Sequence, residues 1–96
     1  MITDKHLSIA KNTLKIFHTA EDEHIRRLLE SSYNVLKEQV GDFNIDTDNL
    51  GSELVYERVR YMYNDALEYF EDNFRTQIVE LSIKNKLLDS VDDWHD

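Results

Sequence analysis

The sequence contains no cysteine and no proline, and only two glycines, Gly41 and Gly51. Without cysteine there is no disulfide framework, no thiolate zinc site and no cysteine nucleophile. The scarcity of turn residues argues against a sheet, which needs them at every reversal, and favours helices joined by few loops. Two glycines also cannot build a phosphate-cradling loop. Basic residues are in the minority, eleven against twenty acidic, and the net charge of −9 would repel a phosphate backbone over most of the surface. Sequence-specific DNA binding is thereby disfavoured. No apolar run approaches the roughly 18 residues of a membrane span. The opening MITDKHLSIAK interleaves charges before any apolar run, unlike a secretory signal. A soluble, cytosolic chain is expected.

What remains is 96 residues rich in helix formers, enough for one domain with one modest core. The spacing predicts an all-α fold, a small helical bundle of three main helices plus a short C-terminal segment. Thr3 can cap a first helix whose inward stripe is Leu7, Ala10, Leu14 and Phe17. Thr19, followed by Glu21, Asp22 and Glu23, suits the start of a second helix near Ala20. Its inward face reads Ile25, Leu29, Ser32, Leu36 and Val40, with Gly41 placed for a left-handed cap. Ser32 reads as a small residue that admits a close neighbouring helix. Residues 42–52 form a polar loop in which Phe43 and Ile45 should anchor against the core.

A third helix is predicted from about Glu53 to Asp72, with Val55, Val59, Met62, Ala66 and Tyr69 on one line and Tyr56, Tyr63, Leu67, Phe70 and Phe74 on the next. Together these lines span an arc of roughly 160°, wider than one neighbour buries. Arg58 and Tyr61 are placed away from that arc. The following RTQIVELSIKNKLL alternates partly as a strand would but is read as a short helix, and residues 89–96 as an acidic, disordered tail behind a 1–88 domain.

Few constellations suggest chemistry. In the loop DFNIDTDNLGSE, residues Asp42, Asn44, Asp46 and Glu53 occupy positions 1, 3, 5 and 12 of a calcium loop. Thr47 stands where that loop needs glycine, and a solvated acidic loop is the favoured reading. His6, His18, His24 and His95 form no i, i+4 pair and no HExxH, so structural or surface roles are expected. Ser31 and Ser32 lie inside a helix rather than on a strained elbow. Asp65, Glu68, Glu71 and Asp72 lack an apolar pocket that would shift them for acid–base work. No catalytic residue, no cofactor and no enzyme activity are therefore expected. Separated basic positions on an acidic molecule, together with several tyrosines, suit contacts with other subunits. The interface candidates are Arg58, Arg60, Tyr61, Tyr63, Phe74, Arg75 and Ile83.

The MIT start with its short helix, the segment DEHI through LLESSYNVLKEQVG, and the tyrosine-rich VYERVRYMYNDALEYFEDNF together resemble the head-tail connector (adaptor or head-completion) family of tailed phages. The residues that carry the resemblance best are Ile25, Leu29, Ser32, Tyr33 and Leu36, then Val59, Arg60, Tyr63, Asn64, Ala66, Leu67, Tyr69 and Phe70. The acidic 42–52 connection and the Asp-rich end depart from the family pattern. The resemblance implies a ring of about twelve copies with heterologous contacts between neighbours. Such a ring lies between the portal protein and a stopper or tail-completion protein, with DNA only as passing cargo and no membrane partner. The place implied is the virion head-tail junction, reached from the host cytoplasm. The alternative expectation is a small acidic regulatory binder, a DNA mimic or inhibitor of a host factor.

Overall fold

The computed structural model describes the backbone of residues 1–93 and the side chains of residues 1–86. It contains four α-helices, α1 (Asp4–Leu14), α2 (Asp22–Val40), α3 (Asn49–Tyr63) and α4 (Phe70–Asp93), with one 3-10 turn over Leu67–Tyr69 and no strand among the described residues. The all-α expectation is met. The count differs, because the predicted third helix is two helices and the predicted short segment belongs to the longest helix of the four.

Two helix stops without glycine depart from the expected pattern, and the second of them accounts for the extra helix. At the end of α1, Lys15 takes the left-handed conformation (φ 60°), its N–H reaching the carbonyl of Asn12 and that of Ile16 reaching Lys11. At the end of α3, Asp65 does the same (φ 58°), with Asp65 N–H on Met62 and Ala66 N–H on Tyr61. Both are Schellman terminations, in which a left-handed residue turns the chain so that orphan carbonyls find donors. The first stop changes the phase of the chain: Ile16 enters the core (7 % exposed) and Phe17, predicted to face inward, is 84 % exposed. The second dissolves the wide arc, since Tyr69 and Leu67 lie past the break and are exposed.

The helices run antiparallel to their neighbours in sequence. Arg26 meets Asp4 and Asp22 meets Lys11 between α1 and α2, while Tyr63 reaches Glu21 and Arg58 reaches Ser32 between α2 and α3. Tyr61 packs on Phe70 and Phe74 at the start of α4, and Lys84 further along it meets Asp48 at the start of α3, which sets α4 against α3. The shared core holds Ile25, Leu29, Leu36, Leu54, Val55, Val59, Phe70 and Leu81, each almost wholly buried. Ser32 is fully buried between α2 and α3, as its small size suggested. α4 bends at Phe74, whose φ of −118° and ψ of 19° leave the helical region. The helix continues to Asp93, into the part of the sequence read as a tail; Trp94, His95 and Asp96 lie outside the described residues.

Candidate interaction surfaces

The 42–48 loop is held from beneath by one tyrosine. The Tyr33 hydroxyl donates to the Phe43 carbonyl at 2.6 Å and accepts the Ile45 N–H at 3.3 Å. Phe43 and Ile45 are both buried, the two anchors expected of them, and the Phe43 ring stands edge-on to Tyr33 at 5.2 Å. Gly51 is buried beside that ring: a Cβ there would stand 2.4 Å from Phe43 Cδ2. Gly41, at φ 95° and ψ 168°, does have the positive φ expected of it, but in an extended region open essentially to glycine rather than in the left-handed helical one.

This local bonding does not assemble a calcium site. Asn44 Oδ1 accepts the Asp46 N–H at 2.8 Å, Asp46 Oδ1 accepts from His6 at 2.7 Å, and Asp42 and Glu53 are exposed. Asp48, five residues before Glu53, caps α3 by accepting the Gly51 N–H. Among the described residues, no three His, Cys, Asp or Glu side chains converge as metal ligands would.

His6, for which the spacing suggests only a structural or surface role, bridges two elements. It is 2 % exposed, with Nδ1 2.8 Å from the Thr3 backbone nitrogen. A backbone N–H can only donate, so Nδ1 accepts and the ring proton lies on Nε2, directed at Asp46. One imidazole therefore caps α1 and ties it to the following loop. The hydrogen bond from His6 is the main reason the Asp46 carboxyl is held below its ordinary range. No spacing rule marks this pair, because the residues meet only after α2 has turned the chain back. Asn85 is comparable: buried on α4, it donates to the Val40 carbonyl at 2.8 Å and so closes the C-terminus of α2.

The interface candidates separate into two groups. Arg58 and Tyr61, expected away from the buried side, both turn inward. Arg58 is half-buried, with Nη1 3.1 Å from Ser32 Oγ and 3.2 Å from Met62 Sδ. Burial pushes its guanidinium below the ordinary value, opposed by the Glu71 carboxylate. Tyr61 joins Phe70 and Phe74 in an aromatic cluster with centroids 5.1–5.7 Å apart. Tyr63 donates to Glu21 at 2.9 Å, a bond that raises its phenol above the usual value. Arg60 pairs with Glu57 and Arg75 with Asp72. Ile83 alone of the seven is a well-exposed apolar side chain, 52 % accessible, and Val79 one turn before it is 49 % accessible.

Two concavities bear on the choice of surface, and only the second is lined by an interface candidate, Arg58. The larger, about 650 Å³, lies between α1 and α2 beside Phe17, and its charges are already matched, Lys11 with Asp22 and Arg26 with Asp4, both at 2.7 Å. A smaller cleft of about 220 Å³ between α2 and the start of α4 is lined by Val35, Leu67, Phe70 and Arg58, with Gln39, Glu68 and Glu71 at its edge. Among the described residues, no helix is long and apolar enough to cross a membrane. Comparisons with protein-family models, with curated proteins and with solved structures find no match to this chain.

Proposed function

We propose that the chain is a non-catalytic assembly subunit of the head-tail connector kind, working by contact with further protein chains. The observation that carries this reading is the outward face of α4. Val79 and Ile83, each about half exposed, sit one turn apart on the side turned away from Ile78 and Leu81. At about 100° per residue they stand far round the helix from those core positions. Water-facing aliphatics repeated along one helix face are what a packed neighbour would cover.

In this reading, copies close a ring between the portal and the stopper or tail-completion protein at the head-tail junction of a virion. The excess of negative charge, −9 per copy, favours passage of DNA, since a like-charged lumen does not hold a phosphate backbone. The ion pairs between elements and the hydrogen-bonded groups with shifted titration, Asp46, Tyr63 and Arg26, serve to hold the subunit's shape. The same charge is the observation favouring the second reading, a monomeric acidic binder that occupies a DNA-binding host factor.

Sedimentation of the pure protein, alone and with a tailed-phage portal ring, separates the two. A ring or a stable portal complex is expected. A protein that stays monomeric at millimolar concentration and does not migrate with portal would remove the connector reading.

A further inference from the structure

The first turn of α1 is closed by a capping box whose third member is neither an acid nor an amide. In that motif a serine or threonine at the N-cap is answered, three residues on, by a Glu or Gln whose side-chain oxygen accepts the N-cap N–H. Here Thr3 is the N-cap and His6 takes the third helical position, its Nδ1 accepting the Thr3 N–H at 2.8 Å. An amide oxygen offers a lone pair whatever the pH, whereas an imidazole nitrogen offers one only while it is unprotonated. Histidine is also the side chain that ordinarily changes charge between about pH 5 and 8. The cap of α1 therefore carries a condition that an amide in the same place would not.

The other ring nitrogen meets a group suited to the charged form. Nε2 lies 2.7 Å from Asp46 Oδ1, and the Asp46 side chain is half exposed. That bond holds the Asp46 carboxyl below its ordinary range, so it stays ionised throughout the interval in which histidine gains a proton. A second proton on the ring thus turns the Asp46 contact into an ion pair and destroys the Thr3 contact. The Thr3 hydroxyl oxygen, 3.2 Å from Nδ1, is then the acceptor at hand for Nδ1–H, and the Thr3 N–H, which has no other partner among the described residues, is orphaned. The imidazolium also sets a positive charge at the N-terminus of α1, where the helix dipole disfavours it. The neighbouring charges do not replace the lost acceptor. Lys5 and the chain's amino terminus act on Asp46, α3 presents the Tyr56 phenol, on which Asp46 acts in turn, and Asp4 is engaged by Arg26 of α2.

We propose that His6 is a proton-operated latch on α1: neutral, it caps the helix and ties it to the 42–48 loop, and protonated, it keeps Asp46 but releases the first turn. The chain up to Leu7 loosens in acid while α2 and α3 stay packed. The device stands independently of the connector reading.

Nitrogen NMR of the His6 imidazole, recorded together with amide exchange on the full chain between about pH 8 and 5, tests the latch. At the upper end the Nε2–H tautomer is expected. The Leu7 N–H, which bonds the Thr3 carbonyl at 3.1 Å, reports on the first turn. As Nδ1 takes its proton, Leu7 protection, corrected for the intrinsic pH dependence of exchange, should fall by about tenfold or more, with protection at Leu29 of α2 unchanged. His6→Gln keeps an acceptor in that position that takes no charge, and should hold Leu7 protection constant over the interval. Asp46→Asn meets the imidazolium with no charge, so it should move the loosening to lower pH, and it serves as the second variant if His6→Gln loses helicity. Leu7 protection that ignores the protonation of His6, a ring that stays neutral down to about pH 5, or a loosening that persists in His6→Gln would each overturn the proposal.

Discussion

His6 and Asp46, 40 residues apart in sequence, share a 2.7 Å hydrogen bond that ties the first turn of α1 to the loop entering α3. Folding holds the Asp46 carboxyl below its ordinary value of 3.8, so the ionised form is the one favoured in the folded protein. The stabilisation is therefore present above 3.8 and lost as pH falls through the lower folded value. Asp46→Asn keeps an oxygen acceptor for His6 and removes the titration. Thermal melts should show the wild type more stable than Asp46→Asn at about pH 5, with the gap shrinking toward about pH 3. A gap that stays constant over that interval would mean the pair is not coupled to folding.

Tyr33→Phe should loosen the loop after Gly41. Removing the hydroxyl orphans the Phe43 carbonyl and the Ile45 N–H, both in a buried setting. The expected cost is about 1–3 kcal/mol, and a fall in Tm of at least about 4 °C in a domain of this size. Faster amide exchange at Ile45 would place the effect in the loop. Exchange unchanged at Ile45 would mean another group takes over the bond.

Gly51→Ala sets two principles against each other. Helix propensity alone favours alanine by about 1 kcal/mol. The new Cβ, however, would lie 2.4 Å from Phe43 Cδ2 and 2.6 Å from Cε2, so the ring must leave its place against Tyr33. Overpacking at about 1–3 kcal/mol should win, and the variant should melt below the wild type. A higher Tm would show that the loop yields easily.

Lys15→Gly should act in the other direction. A lysine in the left-handed conformation costs roughly 1–2 kcal/mol, partly offset by the greater freedom a glycine loses on folding. A net gain of up to about 1 kcal/mol is expected by denaturant titration, with no change in m-value, since Lys15 is exposed. Loss of stability would imply that the Lys15 side chain makes a contact that outweighs its backbone strain.

These stops also explain which parts of the fold the sequence made legible. α2 carries clean helical spacing and ends at a glycine, so its buried face, from Ile25 to Val40, was readable. Phe43 and Ile45 stood out as apolar residues in a polar stretch, and both are buried. The ends of α1 and α3 were not readable, because Lys15 and Asp65 do without the glycine that ordinarily marks a left-handed cap. A helix continued through Asp65 puts Tyr69 on a buried line and Tyr61 on an outward one, the reverse of where they lie. His6, Asn85 and Arg58 depend on partners 26 to 45 residues away, and local spacing carries no record of such pairs.

The hydrogen bond from Asn85 to the end of α2 also sets a path for mechanical load. Among the described side chains of α4, Asn85 and Lys84 take up tension coming along the helix, because they hold Val40 and Asp48. Those two anchors flank the 42–47 loop that Tyr33 fixes to the core. A pull transmitted through Asn85 and Lys84 is thus shared between the end of α2 and the start of α3.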